Sequence, residues 1–311
     1  MNIISKAKIL IACILITTLT ACDASQNAVI SDTTESSTAT GSSDASSASA
    51  DSEYSNSATF TTGSAGSVKG TTIVVTLFAS DSNYSWDESS FDDQTTKSNI
   101  NEYLSIAANY IEKIASDYGT TATFITDFQE NTDLSYNITV DADLEEADDA
   151  SDLAVWNAID NTVDADALME KYDSDNIVFI TAMNTDENSS AITCTRTWYD
   201  GMEFPYEFVY LFNIDYQSVN PPAVYAHEIL HAFGAPDYYT KDEYYNITES
   251  TIEYISSNLS NDIMYTCSDT DTGEYVYDSI TNEVSELTAY YVGLTDSSAL
   301  YEQLNLSGCE H

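Results

Sequence analysis

Two histidines and a glutamate, His227-Glu228-Ile229-Leu230-His231, are the residues of this 311-residue sequence best suited to chemistry. They use two of its only three histidines. Residues four apart on a helix share a face, so both imidazoles can bind one ion. Glu228, beside the first, can then take a proton from a water on that ion. Gly234 follows three residues after His231 and can adopt positive φ at no steric cost, which lets the helix stop and the chain turn back. That return brings Asp237 within reach as a third protein ligand. Three protein ligands with one open position is the arrangement of a catalytic zinc ion, which lowers the pKa of its water to about 7 and polarises a carbonyl. Two other readings compete. Asp237 after Pro236 also suits an ordinary turn, and a glutamate from a later helix, among Glu249, Glu253, Glu283 and Glu286, could complete the ligand set instead.

The surrounding sequence must position these groups. Thr71 to Ala79 is a nearly continuous apolar, β-branched run, which predicts a buried strand. Apolar residues at 100, 103, 104, 107, 111, 114 and 118 recur at helical intervals, and Gly119 closes that helix. Strands are expected at 121–128 and 134–140, giving a β-α-β start, and an acidic helical region at about 148–172. Residues 176–183 read as another buried strand, 191–199 as an edge strand, and 207–214 as a further one. Pro221-Pro222 opens the histidine-bearing helix, where proline in the first turn is tolerated. Beyond 237 the chain is rich in Tyr, Asn and Asp and less regular, until a terminal helix over 284–294. No internal repeat is visible.

The full spacing His-Glu-x-x-His-x-x-Gly-x-x-Asp over 227–237 resembles the metzincin metallopeptidases, with aspartate where most of them carry histidine. In that respect it is similar to the snapalysin group, and Gly234-Ala235-Pro236-Asp237-Tyr238-Tyr239 resembles the immune-inhibitor-A peptidases. The resemblance implies an α/β (α+β) fold: a mixed twisted sheet with backing helices, an active-site helix and a small irregular C-terminal subdomain. It implies a zinc endopeptidase acting on protein or peptide substrates, with His227, His231 and Asp237 as ligands and Glu228 as general base. It also implies a methionine turn beneath the metal, for which Asn261-Asp262-Ile263-Met264-Tyr265 is the matching segment, with Met264 as support. The likeness spans roughly 71–294 in architecture but is specific only at 227–237 and, less so, at 262–265. Some family members carry a tyrosine two residues after the turn methionine; here that position is Thr266, which leaves Tyr265 better read as a packed or surface residue. The edge strand at 191–199 is the expected upper rim of the cleft. Arg196, the only arginine, is expected to pair with one of the many acids there.

Residues 1–21 read as a targeting segment: Lys6 and Lys8 precede a short apolar run from Ile9 to Leu19. Leu19-Thr20-Ala21-Cys22 resembles the bacterial lipobox, which makes Cys22 the expected lipid anchor and the site extracytoplasmic, at the surface of a bacterial membrane. An ordinary signal peptide containing a cysteine is the alternative. Twelve of the twenty residues from 31 to 50 are Ser or Thr, so 22–68 reads as a flexible tether with too little apolar surface to fold. A metallopeptidase catalytic domain is then expected over 69–311. Cys194, Cys267 and Cys309 remain, one bridge plus one thiol being the simplest arithmetic.

With 52 acids, 8 bases and a formal charge of −44, the chain is a poor partner for nucleic acid or anionic lipid. A monomer that touches the membrane only through its lipid is expected. Asp269-x-Asp271-x-Gly273-Glu274 has the start of a calcium-loop pattern but lacks its distal glutamate, and a turn rich in acids accounts for it better. Asn137-Ile-Thr and Asn246-Ile-Thr match glycosylation acceptors, which carry little weight if the source is bacterial, as the lipobox suggests. A surface binding or adhesin module with a silent zinc site is the rival function.

Overall fold

A computed structural model describes residues 63–196, 206–215 and 217–309. The signal segment, Cys22, most of the tether, the 197–199 end of the edge strand and His311 lie outside them.

The first strand, β1 (Gly70–Ser80), is the axis of the sheet, and its residues 72–79 are buried. A strand covered on both faces needs an unbroken apolar run, which Ile73-Val74-Val75 and Leu77-Phe78-Ala79 provide. On one side β1 pairs in parallel with β4 (Asn176–Met183). On the other it pairs in parallel with two strands in succession: β2 (Ala122–Ile125) along 70–73, then β3 (Ser135–Thr139) along 76–80. β6 (Phe208–Phe212) adds to β4 in parallel. β5 (Cys194–Arg196) closes the far edge antiparallel to β6. A short hairpin, β7 (Ile214–Asp215) with β8 (Ser218–Val219), follows. The fold is the mixed α/β architecture expected from the sequence pattern.

Between β1 and β2 runs α1 (Phe91–Asp117), which starts nine residues ahead of the first position of the apolar periodicity, residue 100. The added turns are polar; Ser90 caps them by accepting from Asp93 N, and Asp92 and Asp93 suit the positive end of the helix dipole. Its buried stripe, Ile100, Leu104, Ala107, Ile111 and Ala115, follows helical spacing. β2 stops three residues short of the expected 128 because Asp127 caps the next turn through Gln129 N and Glu130 N, and Asn101 Oδ1 takes the N–H of Phe128. The acidic region is two helices, α2 (Asp149–Thr162) and α3 (Ala165–Tyr172), because Asp164 caps a fresh start. The histidine-bearing helix is α4 (Pro222–Ala232), which lies against α1 and under β5 and β6.

After α4 the chain forms α5 (Glu249–Asn258), α6 (Glu286–Tyr291) and α7 (Ala299–Gln303). α5 has no sequence forewarning, because it buries only Thr251 and Ile255; its start is set by a Thr248–Thr251 capping box instead. Among the described residues no disulfide joins Cys194, Cys267 and Cys309 to one another, where the simplest cysteine arithmetic expected one bridge. Burial pushes the Cys309 thiol up to about 12, away from the reactive thiolate. Among the described residues no helix is long and apolar enough to cross a membrane.

Residues 63–68, ahead of the domain start at 69 drawn from composition, are already packed. Ala65 N donates to Ala232 O at 2.9 Å, Val68 N to Val292 O at 2.9 Å, and both side chains are buried. Gly63 presses on the end of α4, where a Cβ would stand 2.3 Å from Ala232 O. Composition hides this because Gly-Ser-Ala-Gly-Ser reads as linker. A protein lacking residues 1–62 is therefore expected to keep its stability. One lacking 1–68 should lose about 3 kcal/mol, or roughly 6–12 °C in Tm. Equal melting of the two truncations by differential scanning calorimetry would contradict this.

Candidate metal centre

Nearly every residue of α4 is buried, so its identity as a core helix and as a site helix coincide. Tyr225 meets Tyr103 of α1 edge-on at 5.8 Å, and Phe233, just past the helix, meets Phe124 of β2 at 6.0 Å. The helix ends in a Schellman turn: Gly234 N donates to His231 O at 2.7 Å and Ala235 N to Leu230 O at 3.1 Å, with Gly234 at φ +94°. The spacing expected of Gly234 thus has a specific structural cause.

This turn also orients a ring. His231 Nδ1 lies 2.7 Å from Ala235 O, while His227 Nδ1 lies 2.9 Å from Ile263 O. Each Nδ1–H donates to a carbonyl, which leaves each Nε2 with its lone pair. The two Nε2 atoms are 3.1 Å apart, and Asp237 Oδ1 stands 3.1 Å from one and 3.2 Å from the other. Ligand atoms of a tetrahedral site with bonds of about 2.0–2.1 Å lie roughly 3.3 Å apart, so the triangle has the size a small divalent ion requires. Asp237 Oδ1 is buried and receives no hydrogen bond in this tautomer state. Such an oxygen is costly unless a cation or an added proton meets it.

The buried His227–Glu228–His231 group could hold a metal ion by proximity alone. Asp237 is nevertheless the nearer carboxylate, since Glu228 Oε1 is 3.9 Å from His227 Nε2. Among the described residues no other carboxylate oxygen comes within 4 Å of either imidazole. The later glutamates are engaged or exposed elsewhere. Glu249 pairs with Lys241, Glu286 accepts from Ala299 N, and Glu253 and Glu283 face solvent.

Met264 is fully buried, and its turn is stitched to the site. Ile263 O takes the His227 proton and Met264 O accepts from Tyr238 N at 2.9 Å. Asp262 holds the turn from below: its carboxylate accepts from Met264 N, Ser285 N and Thr288 Oγ1, all within 2.9 Å. Burial pushes that carboxyl's pKa up, partly opposed by these bonds. Tyr265 packs on the core. Arg196 Nη2 lies 2.6 Å from Asp152, which also accepts from Tyr210, so the arginine is a structural pair as expected.

Three participants escaped sequence reasoning. Asp262 stood in the methionine-turn segment with no role assigned to it. Thr195 of β5 lies 2.7 Å from Glu228 Oε2. Tyr239 stacks near His227, with ring centroids 6.2 Å apart and planes 21° from parallel. The residue is 51 % exposed, but burial of its hydroxyl end and the nearby Asp237 and Glu228 carboxylates push its pKa up. In a chain with 23 tyrosines, nothing in the sequence singles this one out.

No family model, no curated protein and no solved structure matches the chain.

Electrostatically the cluster is strongly coupled. Burial would raise the Asp237 pKa, but the His231 and His227 imidazoles hold it well below the usual carboxylate range. Burial would lower both histidines; Cys267 and Asp237 beside His227, and Asp237 beside His231, overcome this and raise them. The unfolded imidazole titrates near 6.5. In the metal-free protein the raised histidines therefore stabilise the fold fully below that pH, and the contribution fades as pH rises through their folded values. Asp237, depressed, contributes above about 4 and loses its contribution as pH falls through its folded value. A divalent ion competes with protons for the same two Nε2 atoms, whose proton affinity is raised. Calorimetric titration with Zn2+ in two buffers of different ionisation enthalpy should show net proton release at pH 7, with affinity rising as pH increases. Buffer-independent heats would contradict it.

Proposed function

We propose that this chain is a zinc-dependent endopeptidase of metzincin type, with His227, His231 and Asp237 as metal ligands and Glu228 as general base. The observation that carries the reading is the convergence of two Nε2 lone pairs and one unpartnered carboxylate oxygen, with a second carboxylate held alongside. A nitrogen–oxygen donor set of this size suits zinc among the available divalent ions. Zinc, when bound, supplies Lewis acidity and a water acidified to near neutrality.

The residues supply the rest. Glu228 accepts a proton from the attacking water and returns it to the leaving amine. Tyr239 stands beside His227 and can turn its hydroxyl to donate to the carbonyl oxygen as that oxygen gains charge. Among the described residues β5 is the outermost strand of the sheet, where an extended peptide can add by backbone pairing. The membrane attachment through Cys22 belongs to the same proposal: a lipid-anchored, extracytoplasmic bacterial enzyme, monomeric, acting on proteins or peptides and not on nucleic acid.

Glu228→Gln should lower hydrolysis of an unstructured protein substrate by about 10²–10⁴-fold while zinc stays stoichiometric. Unchanged hydrolysis, or none from zinc-loaded wild type, would remove the endopeptidase reading and favour a binding module with a silent site. Asp237→Ala should lose stoichiometric zinc by elemental analysis after dialysis; full retention would sink the aspartate ligand. Tyr239→Phe is expected to reduce kcat by about 10²-fold with little change in KM, and an unchanged kcat would remove the tyrosine from the mechanism.

A further inference from the structure

We infer that Thr195 is a positioning residue that aims the Glu228 carboxylate toward the metal-binding face, an inference that rests on the hydrolytic reading above. Its hydroxyl is 2.7 Å from Glu228 Oε2 and 3.1 Å from the Glu228 carbonyl oxygen. A threonine hydroxyl has one proton to donate, and the shorter contact, to the side-chain carboxylate oxygen, is the stronger of the two. With Oε2 held this way, Oε1 is the oxygen that stands 3.9 Å from His227 Nε2. Thr195 therefore decides which carboxylate oxygen faces the ligands.

The donor comes from a platform independent of α4. β5 pairs with β6 through Thr195↔Val209, with Cys194↔Tyr210 and Arg196↔Phe208 on either side. Side chains alternate along a strand, so Thr195 faces the helix while Arg196 points the other way, onto Asp152. A β-branched residue is stiff at χ1, which fixes the hydroxyl once the strand is fixed. Glu228, by contrast, has three side-chain torsions and is 4 % exposed, so little solvent competes for its oxygens. The strand edge that can carry an extended peptide and the residue that orients the base are thus the same three-residue element.

The test combines Thr195→Val, which removes the donor at nearly constant shape, with Thr195→Ser, which keeps it. In zinc-loaded protein, T195V should lower kcat by about 10–100-fold with KM and zinc content unchanged, and T195S should recover most of the loss. A T195V kcat within twofold of wild type would overturn the inference. In metal-free protein, T195V should lower Tm by about 4 °C in the wild-type background and by less than half of that in a Glu228→Ala background. Additive shifts would overturn the inference even if wild type proves inactive, an outcome that by itself defeats only the hydrolytic reading. Should T195V fail to fold, T195A is read against the same criteria.

Discussion

Three lone pairs aimed at one another across 3.1–3.2 Å repel unless something positive lies among them. Much of the local structure around α4 can be understood as enforcing that arrangement. Each imidazole is locked by a carbonyl at its far nitrogen, and the two carbonyls come from different segments: Ala235 from the turn just past the same helix, Ile263 from a turn 36 residues after His227. Neither ring can rotate to relieve the repulsion without leaving a buried N–H unsatisfied, at a cost of about 1–3 kcal/mol. Asp237 is similarly constrained, because Tyr238 N is bonded to Met264 O immediately after it.

Holding such a cluster requires rigid surroundings, and the packing provides them. α4 is inserted between α1 and the β5–β6 end of the sheet, with its exit pinned by residues 63–65. Asp262 is the main buried anchor of the methionine turn. It exchanges hydration for three hydrogen-bond donors, one in the turn itself and two from the 285–288 segment. A carboxylate so satisfied is tolerable in the interior and fixes its neighbours in space. The last segments of the chain, irregular in sequence, thereby contribute to the orientation of His227 through Ile263.

What the sequence made legible and what it did not divide along a physical line. The ligand segment is contiguous, and its helix, Schellman glycine and returning aspartate all have local signatures. β1 and β4 are equally plain because burial on both faces demands an apolar run. The supports are different in kind. Ile263 O and Ala235 O act through backbone, which no residue type advertises; Thr195 and Asp262 act through contacts 33 and 26 residues distant in sequence. α5 and the 63–68 clasp were invisible because they are polar or glycine-rich, and their places are set by caps and backbone bonds. Disulfide arithmetic failed for a simpler reason, since parity of cysteines says nothing about where the fold puts them.

The charge of the whole chain bears on the same cluster. Six basic residues lie among the described positions, and five of them, Lys97, Lys113, Lys171, Arg196 and Lys241, are paired with acids. Little positive charge is left to offset 52 carboxylate side chains. A field of that sign raises the local concentration of cations and repels anions over about a Debye length, roughly 8–10 Å at physiological salt. It acts in the same sense as Asp237, whose oxygen is held ionised against burial by the two imidazoles. Local geometry sets where a cation could sit, while the surrounding surface would make its presence there more favourable. The acidity of the chain and the unpartnered oxygen at its centre are therefore parts of one electrostatic arrangement.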